Sequence, residues 1–202
     1  MAQYLKDEMR ADICVAALKV FARDGYQGAR MSDIADCAGI SSGNIYRYFK
    51  NKDDLFYSVV DAGFAATFIR LIRTRVRAMR ARPFTNVLDT EPTVEAETML
   101  AFWIENRLKV VIILAGAQGS LYEDYPRKVV HELTRLTISH FRNADIGRPF
   151  DASDKFILDR IFTNTLATIV DFLMYSDDEE AIRQLFLKFW RFQISGVQGL
   201  FA

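Results

Sequence analysis

Two glycines, Gly25 and Gly39, cut the first fifty residues into three pieces whose apolar spacing suits only helices. The first piece runs from about Asp7 to Asp24, with Ile13, Ala17, Val20 and Phe21 along one face. Gly25 ends it, because glycine enters the left-handed region past a last turn without steric cost. The second covers Ser32 to Ala38, and Gly39 ends it the same way. Ser41 stands where the cap of a third, short helix belongs, its hydroxyl able to accept an early backbone N–H; that helix runs from Ser42 to about Phe49. Two short helices joined by a tight glycine-containing turn describe a helix-turn-helix. Ile34, Ala35, Ala38 and Ile40 of the first face Ile45 and Phe49 of the second, and the small Ala35 and Ala38 permit a close crossing.

The rest of the chain also reads as helix. Gly and Pro are scarce, 10 and 4 in 202 residues, and half the residues are apolar. Asn51, with Asp54 three residues on, caps a longer helix from about 52 to 82, with Leu55, Val59, Phe64, Phe68, Leu71 and Ile72 as its stripe. Beyond Pro83 and the non-periodic PFTNVLDTEPT, further helices are expected at about 93–106, 107–121, 126–143, 152–175 and 178–199, with Ser176 and Glu179 as a capping box for the last. The expected fold is all-α. It has an N-terminal helix-turn-helix domain over 1–50, a connecting helix over 52–82, and a C-terminal helical domain over 83–202.

What the third helix leaves outward is Ser42, Asn44, Arg47 and the rings of Tyr46 and Tyr48. These groups donate hydrogen bonds without adding negative charge, so they suit phosphates and base edges in a major groove. The N-terminus of that helix also turns free N–H groups outward. Formal net charge is zero, but residues 1–82 hold 14 Lys/Arg against 9 Asp/Glu, and residues 83–202 hold 12 against 17. A positive head and a negative body would set the chain head-down on a polyanion. The arginines of RLIRTRVRAMRAR do not extend that surface: on one straight helix Arg80 would stand roughly 40 Å from Lys52, so a solvated or acid-paired face is expected.

The segment GYQGARMSDIADCAGISSGNIYRYFKNKDDLF resembles the N-terminal DNA-binding domain of the tetracycline-repressor (TetR) family. The landmarks are Gly25-Tyr26, Asp33-Ile34-Ala35, Ala38-Gly39-Ile40-Ser41, Gly43, Tyr46, Tyr48-Phe49, Lys52 and Leu55-Phe56. The resemblance covers about residues 7–70. It implies that Ser41 and Ser42 meet phosphate, that Asn44 and Arg47 reach base edges, and that Tyr46, Tyr48 and Lys52 bond phosphates, with Lys50 a further phosphate contact. Arg47 stays open between base, phosphate and solvent. The family usually carries Thr or Ser before its second helix. Here Ala29 and Arg30 stand there, so capping passes to Ser32 or is lost, and Arg30 becomes a charged backbone contact.

Helix-turn-helix dimers read half-sites one helical turn apart or multiples of it, so a homodimer surface is expected. The last two helices carry apolar residues on more than one face: Phe156, Phe162, Ile169, Phe172 and Leu173 on one, Ile182, Phe186, Phe189, Trp190 and Gln193 on the other. An antiparallel four-helix packing across a two-fold axis would cover both, in agreement with the resemblance. The remaining helices are expected to surround a pocket for a small-molecule effector. Met99, Phe102, Trp103, Asn106, Gln118, Tyr122, His140, Phe141, Asn164 and Thr165 combine apolar lining with a few polar groups, and Trp103 with Asn106 shares one face.

Catalysis has little to work with. His131 and His140 are the only histidines, HELTR at 131–135 has Arg135 where a zinc-protease motif needs its second His, and no GxSxG or P-loop occurs. No catalytic residue, metal or cofactor is expected. Cys14 and Cys37 read as reduced thiols of a cytoplasmic protein. The longest apolar run, Val110 to Ala117, is too short for a bilayer, and no membrane partner is expected. The reading is a one-component regulator that binds a palindromic double-stranded DNA operator and is released by its effector. The alternative is a helix-turn-helix protein that acts through protein partners or without an effector.

Overall fold

The computed structural model describes residues 2–80, 93–142 and 149–200. Among these the secondary structure is all α-helix, with no strand: α1 Ala2–Gly28, α2 Met31–Cys37, α3 Ser42–Ile45, α4 Lys52–Val59, α5 Ala62–Arg80, α6 Val94–Glu105, α7 Arg107–Ala115, α8 Tyr125–Arg142, α9 Ala152–Tyr175 and α10 Glu179–Gly199. Residues 83–92 of PFTNVLDTEPT and 146–148 of IGRPFDAS lie outside the described residues.

Two compact units are built from interleaved segments. The first comprises Met1–Ala66 and Leu108–Tyr125, the second Thr67–Arg107 and Pro126–Ala202. The division passes through α5 and α7, whereas the sequence places its boundary at Pro83.

In the first unit α1 and α2 bury Ile13, Ala17, Val20, Phe21, Ile34 and Ala35 together with Ile45 and Phe49. Gly25 adopts φ 70°, and the turn it makes lets the Tyr26 N–H bond the Gly116 carbonyl at 2.7 Å. A side chain at Gly116 would stand 3.1 Å from the Phe21 carbonyl, so α7 meets α1 backbone to backbone. Phe56 is the centre of an aromatic cluster, edge-on to Phe21 and Tyr26 at 5.0 and 4.8 Å. Tyr57 and Tyr122 extend it, 5.9 Å apart.

Three expectations are corrected. The long fourth helix is two helices. Val60 leaves the helical region at φ −117°, ψ 79°, and the Asp61 carboxylate accepts the Phe64 N–H at 2.8 Å, starting α5 afresh. An aspartate that competes for backbone N–H groups favours a new cap over continuation. The straight-rod distance to Arg80 therefore does not apply. Residues 52–78 are long and apolar enough to cross a membrane by length and composition, but this break interrupts them. Ser41 takes the N-cap position without a side-chain bond, and Arg30 does the same for α2, so that cap is lost. The box before α10 shifts: Asp178, not Ser176, accepts the Glu180 N–H at 3.0 Å. Asn51 caps α4 as expected, accepting the Asp54 N–H at 2.8 Å.

The second unit has two apolar centres. Trp103 of α6 stacks on Phe68 of α5 at 5.8 Å and packs against Phe186 and Trp190 of α10. Phe141 of α8 packs with Leu158 and Phe162 of α9. Asp151 and Asp154 form the capping box that starts α9.

Candidate functional site

The short α3 turns one side inward and the other out. Ile45 and Phe49 are completely buried. Ser41, Ser42, Tyr46, Arg47 and Lys50 are exposed, Tyr46 to 55%, while Asn44 and Tyr48 are half-buried. The guanidinium of Arg10 lies 4.5 Å over the Phe49 ring, tying α1 to this motif from behind. The helix itself ends at Ile45, and residues 46–48 continue as turns, with the Tyr48 and Phe49 N–H groups bonding the Ile45 carbonyl. Arg47 Nη1 reaches the Asn44 Oδ1 at 3.5 Å, so the two expected base readers stand side by side. The Ser41 hydroxyl, free of capping duty, is open to solvent. Arg30 is exposed at the start of α2.

Lys52 is placed differently from the other expected phosphate contacts. Its ammonium donates to the carbonyls of Tyr26 (2.6 Å), Ala29 (3.1 Å) and Gln27 (3.4 Å), and lies 4.5 Å over the Tyr26 ring. A cation there satisfies carbonyls that the end of α1 leaves open. Tyr26 in turn bonds the Asp53 carboxylate, which with burial pushes its phenol up to about 12. Sequence reasoning had no signal for this role, because a lysine at a helix start looks the same in either use.

The ten expected pocket residues are not gathered into one place. Gln118 and Tyr122 belong to the first unit, and Tyr122 packs on Tyr57. In the second unit Asn106 caps α6, its Nδ2 bonding the Phe102 carbonyl at 3.1 Å. Thr165 bonds back to the Ile161 carbonyl, Asn164 is exposed, and Phe141 is core, with His140 edge-on beside it. Met99 and Trp103 are buried and Phe102 half-buried on α6. The informative atom is the Trp103 indole Nε1, buried and without a hydrogen-bond partner; Gln193 Nε2 is the other such atom among the described residues. Gln193 stands one turn beyond Trp190, which packs on Trp103. A buried donor without a partner costs roughly 1–3 kcal/mol.

Of the expected dimer residues, Phe162, Ile169, Leu173, Ile182 and Phe186 are buried inside the chain's own core. They back the last two helices and cannot form a contact surface. Phe172, Phe189, Trp190 and Gln193 are half-buried, and Phe156 is 67% exposed. On the last two helices the large apolar groups left outside are Phe156, Ile157, Met174 and Tyr175 of α9 and Phe192 of α10. Periodicity could not find the last four, because both helices are apolar nearly all round.

Among the described residues no group of three His, Cys, Asp or Glu side chains is placed to hold a metal. Cys37 is exposed at the end of α2, and burial pushes the Cys14 thiol up.

The fold and the exposed α3 row define a helix-turn-helix protein, and comparison with known proteins agrees. Residues 13–59 match the model of the bacterial regulatory proteins of the tetR family. The HTH-type transcriptional activator FasR of Mycolicibacterium smegmatis is 40% identical over 55 residues, 27% of this chain and 25% of that protein. The fatty acid metabolism regulator protein of Bacillus subtilis is 48% identical over 44 residues, 22% and 23% of the two chains. A TetR-family transcriptional regulator from Mesorhizobium loti of known structure is 18% identical, with TM-score 0.45, over 96% of this chain and 97% of that one. The match to the tetR family model is confined to residues 13–59 of this chain. The matched stretch spans about a quarter of the length of each curated relative.

Proposed function

We propose that this chain is a ligand-responsive one-component transcriptional regulator that binds a palindromic operator as a homodimer in the cytoplasm and acts by binding, not catalysis. The observation that carries the reading is the α3 row. Ser41, Ser42, Asn44, Tyr46, Arg47 and Tyr48 face outward or stand half-buried over a buried Ile45 and Phe49. In this reading Ser41, Ser42, Tyr46, Tyr48, Lys50 and Arg30 fix the backbone register, while Asn44 and Arg47 read bases. Lys52 holds the α1 end that orients them, and its contribution to phosphate binding is indirect.

The effector core is the aromatic cluster around Trp103. Its indole N–H and the Gln193 amide lack partners, and an acceptor-bearing small molecule would supply them. Phe156, Ile157, Met174, Tyr175 and Phe192 form the dimer surface, backed by the buried residues of α9 and α10. We take the regulator to be a repressor whose effector binds the DNA-free state more tightly, since only differential affinity can release DNA. The test is selection from a random DNA pool with the full chain, followed by footprinting with and without Arg47→Ala. Enrichment of a two-fold symmetric sequence is expected, with relaxed preference at one base pair per half-site in the variant. Enrichment of nothing symmetric would replace the operator reading with one of protein partners.

A further inference from the structure

We propose that the groove between α8 and the first turns of α9 binds a small phosphorylated anion. Its cavity of about 360 Å³ is lined by His131, Thr134, Arg135, Ile138, Ser139, Arg142 and Lys155. The α8 members fall at spacings of three and four, which puts them on one face. Three permanent cations therefore converge in the part of the chain that carries the negative half of the sequence charge.

Two of those cations are already oriented. Arg135 gives its Nε and Nη2 to the Glu132 carboxylate at 2.9 and 2.8 Å, and Arg73 shares that carboxylate at 2.7 Å. Lys155 donates to Asp159 at 2.7 Å, and Asp159 also accepts the Thr134 hydroxyl at 2.6 Å. Two carboxylates thus pair with Arg73, Arg135 and Lys155, and Arg142 lines the same groove, which leaves an excess of positive charge. The pairings spend only one edge of the Arg135 fork and one of three lysine donors. What remains is a set of donors fixed in direction, so a ligand orders fewer side chains on binding. Guanidinium forks match phosphate oxygens in pairs, and a phosphate group presents three oxygens to such donors where a carboxylate presents two. Ile138 provides an apolar wall for a non-ionic portion of the ligand.

The probe is inorganic pyrophosphate, titrated calorimetrically into the full chain without DNA at constant ionic strength. One site per chain is expected, weakened at least tenfold in Arg142→Gln/Lys155→Gln and within twofold of the parent in Lys19→Gln. Lys19 is exposed on α1, far along the sequence from the groove. Thermal melts of each variant establish that it is folded. Absence of a stoichiometric site overturns the proposal. So does an affinity unchanged in the double variant, which would put the anion on the helix-turn-helix, or an equal loss in Lys19→Gln, which would mean diffuse attraction. Sulfate binding as tightly as pyrophosphate would overturn phosphate selectivity. Because no DNA is present, failure here leaves the operator reading intact.

Discussion

The two units differ in how completely their buried polar groups are satisfied. In the first, the Tyr26 N–H meets Gly116, the Lys52 ammonium meets three carbonyls, and the buried Tyr125 hydroxyl donates to the Ala65 carbonyl at 2.6 Å. Each bond joins segments distant in sequence, which ties the end of α1, the start of α4 and the residues after α7 into the first unit. In the second, two buried donors, Trp103 Nε1 and Gln193 Nε2, have no partner. Satisfied polar networks specify one arrangement, whereas unsatisfied ones cost stability until something fills them. Among the described residues, the two unpartnered buried side-chain donors both lie in the second unit.

The largest expected effect tests the rigidity of the first unit. Phe49 is buried to within 1% and carries Arg10 over its ring, so Phe49→Ala should cost about 3–5 kcal/mol of unfolding free energy in urea titration. A loss below about 1 kcal/mol would show a frame able to collapse around the cavity. Next in size is recognition. Arg47→Ala should weaken the selected operator by about 1–3 kcal/mol in a band shift, with the unfolding midpoint unchanged, because the side chain is exposed. Equal weakening on operator and random DNA would reassign Arg47 from a base edge to a phosphate.

The same contrast governs what the sequence reveals. On α2 and α3 the apolar residues are few and the polar ones many, so Ile34, Ala35, Ile45 and Phe49 could be assigned inward and Ser41, Ser42, Tyr46 and Arg47 outward, as found, while Asn44 and Tyr48 are half-buried. The turns at Gly25 and Gly39 were legible because a positive φ leaves glycine as the unstrained choice. On α9 and α10 the apolar residues surround the helix, and spacing alone could not separate the buried Phe186 from the exposed Phe192. The break at Val60 was hidden because Asp61 looks like any exposed helical acid until its carboxylate is seen to accept the Phe64 N–H. Lys52 and the α8 groove were hidden for another reason. Lys52 acts on carbonyls 23 or more residues away, and the groove is joined to α9 by the Thr134–Asp159 bond across 25 residues, which no local pattern encodes.

In the second unit the prediction inverts the usual sign. Gln193→Leu removes an unpartnered buried amide nitrogen and keeps most of the volume, so stability should rise by about 1 kcal/mol in thermal unfolding. In the first unit Lys52→Met should lower it, since three carbonyls lose their donor. If Gln193→Leu destabilises instead, the amide has a partner in solution and the second unit is as well satisfied as the first.

The smallest effect concerns acid. Bonds from Arg135 and then Arg73, acting against burial, hold the Glu132 carboxyl at about 2, against an ordinary 4.5. A carboxylate lowered by folding stabilises the native state above its unfolded value and loses that contribution as pH falls through its folded one. The second unit should therefore lose stability between about pH 4.5 and 2 through this group, and Glu132→Gln should flatten that part of the profile. Arg135 and Arg73 are each about half exposed, so solvent screening keeps the amplitude modest. A parent profile that already matches Glu132→Gln over this range would mean that the shared carboxylate does not orient Arg135. The groove beside it would then lose its fixed donors, and phosphate binding there would have to come from Arg142 and Lys155 alone.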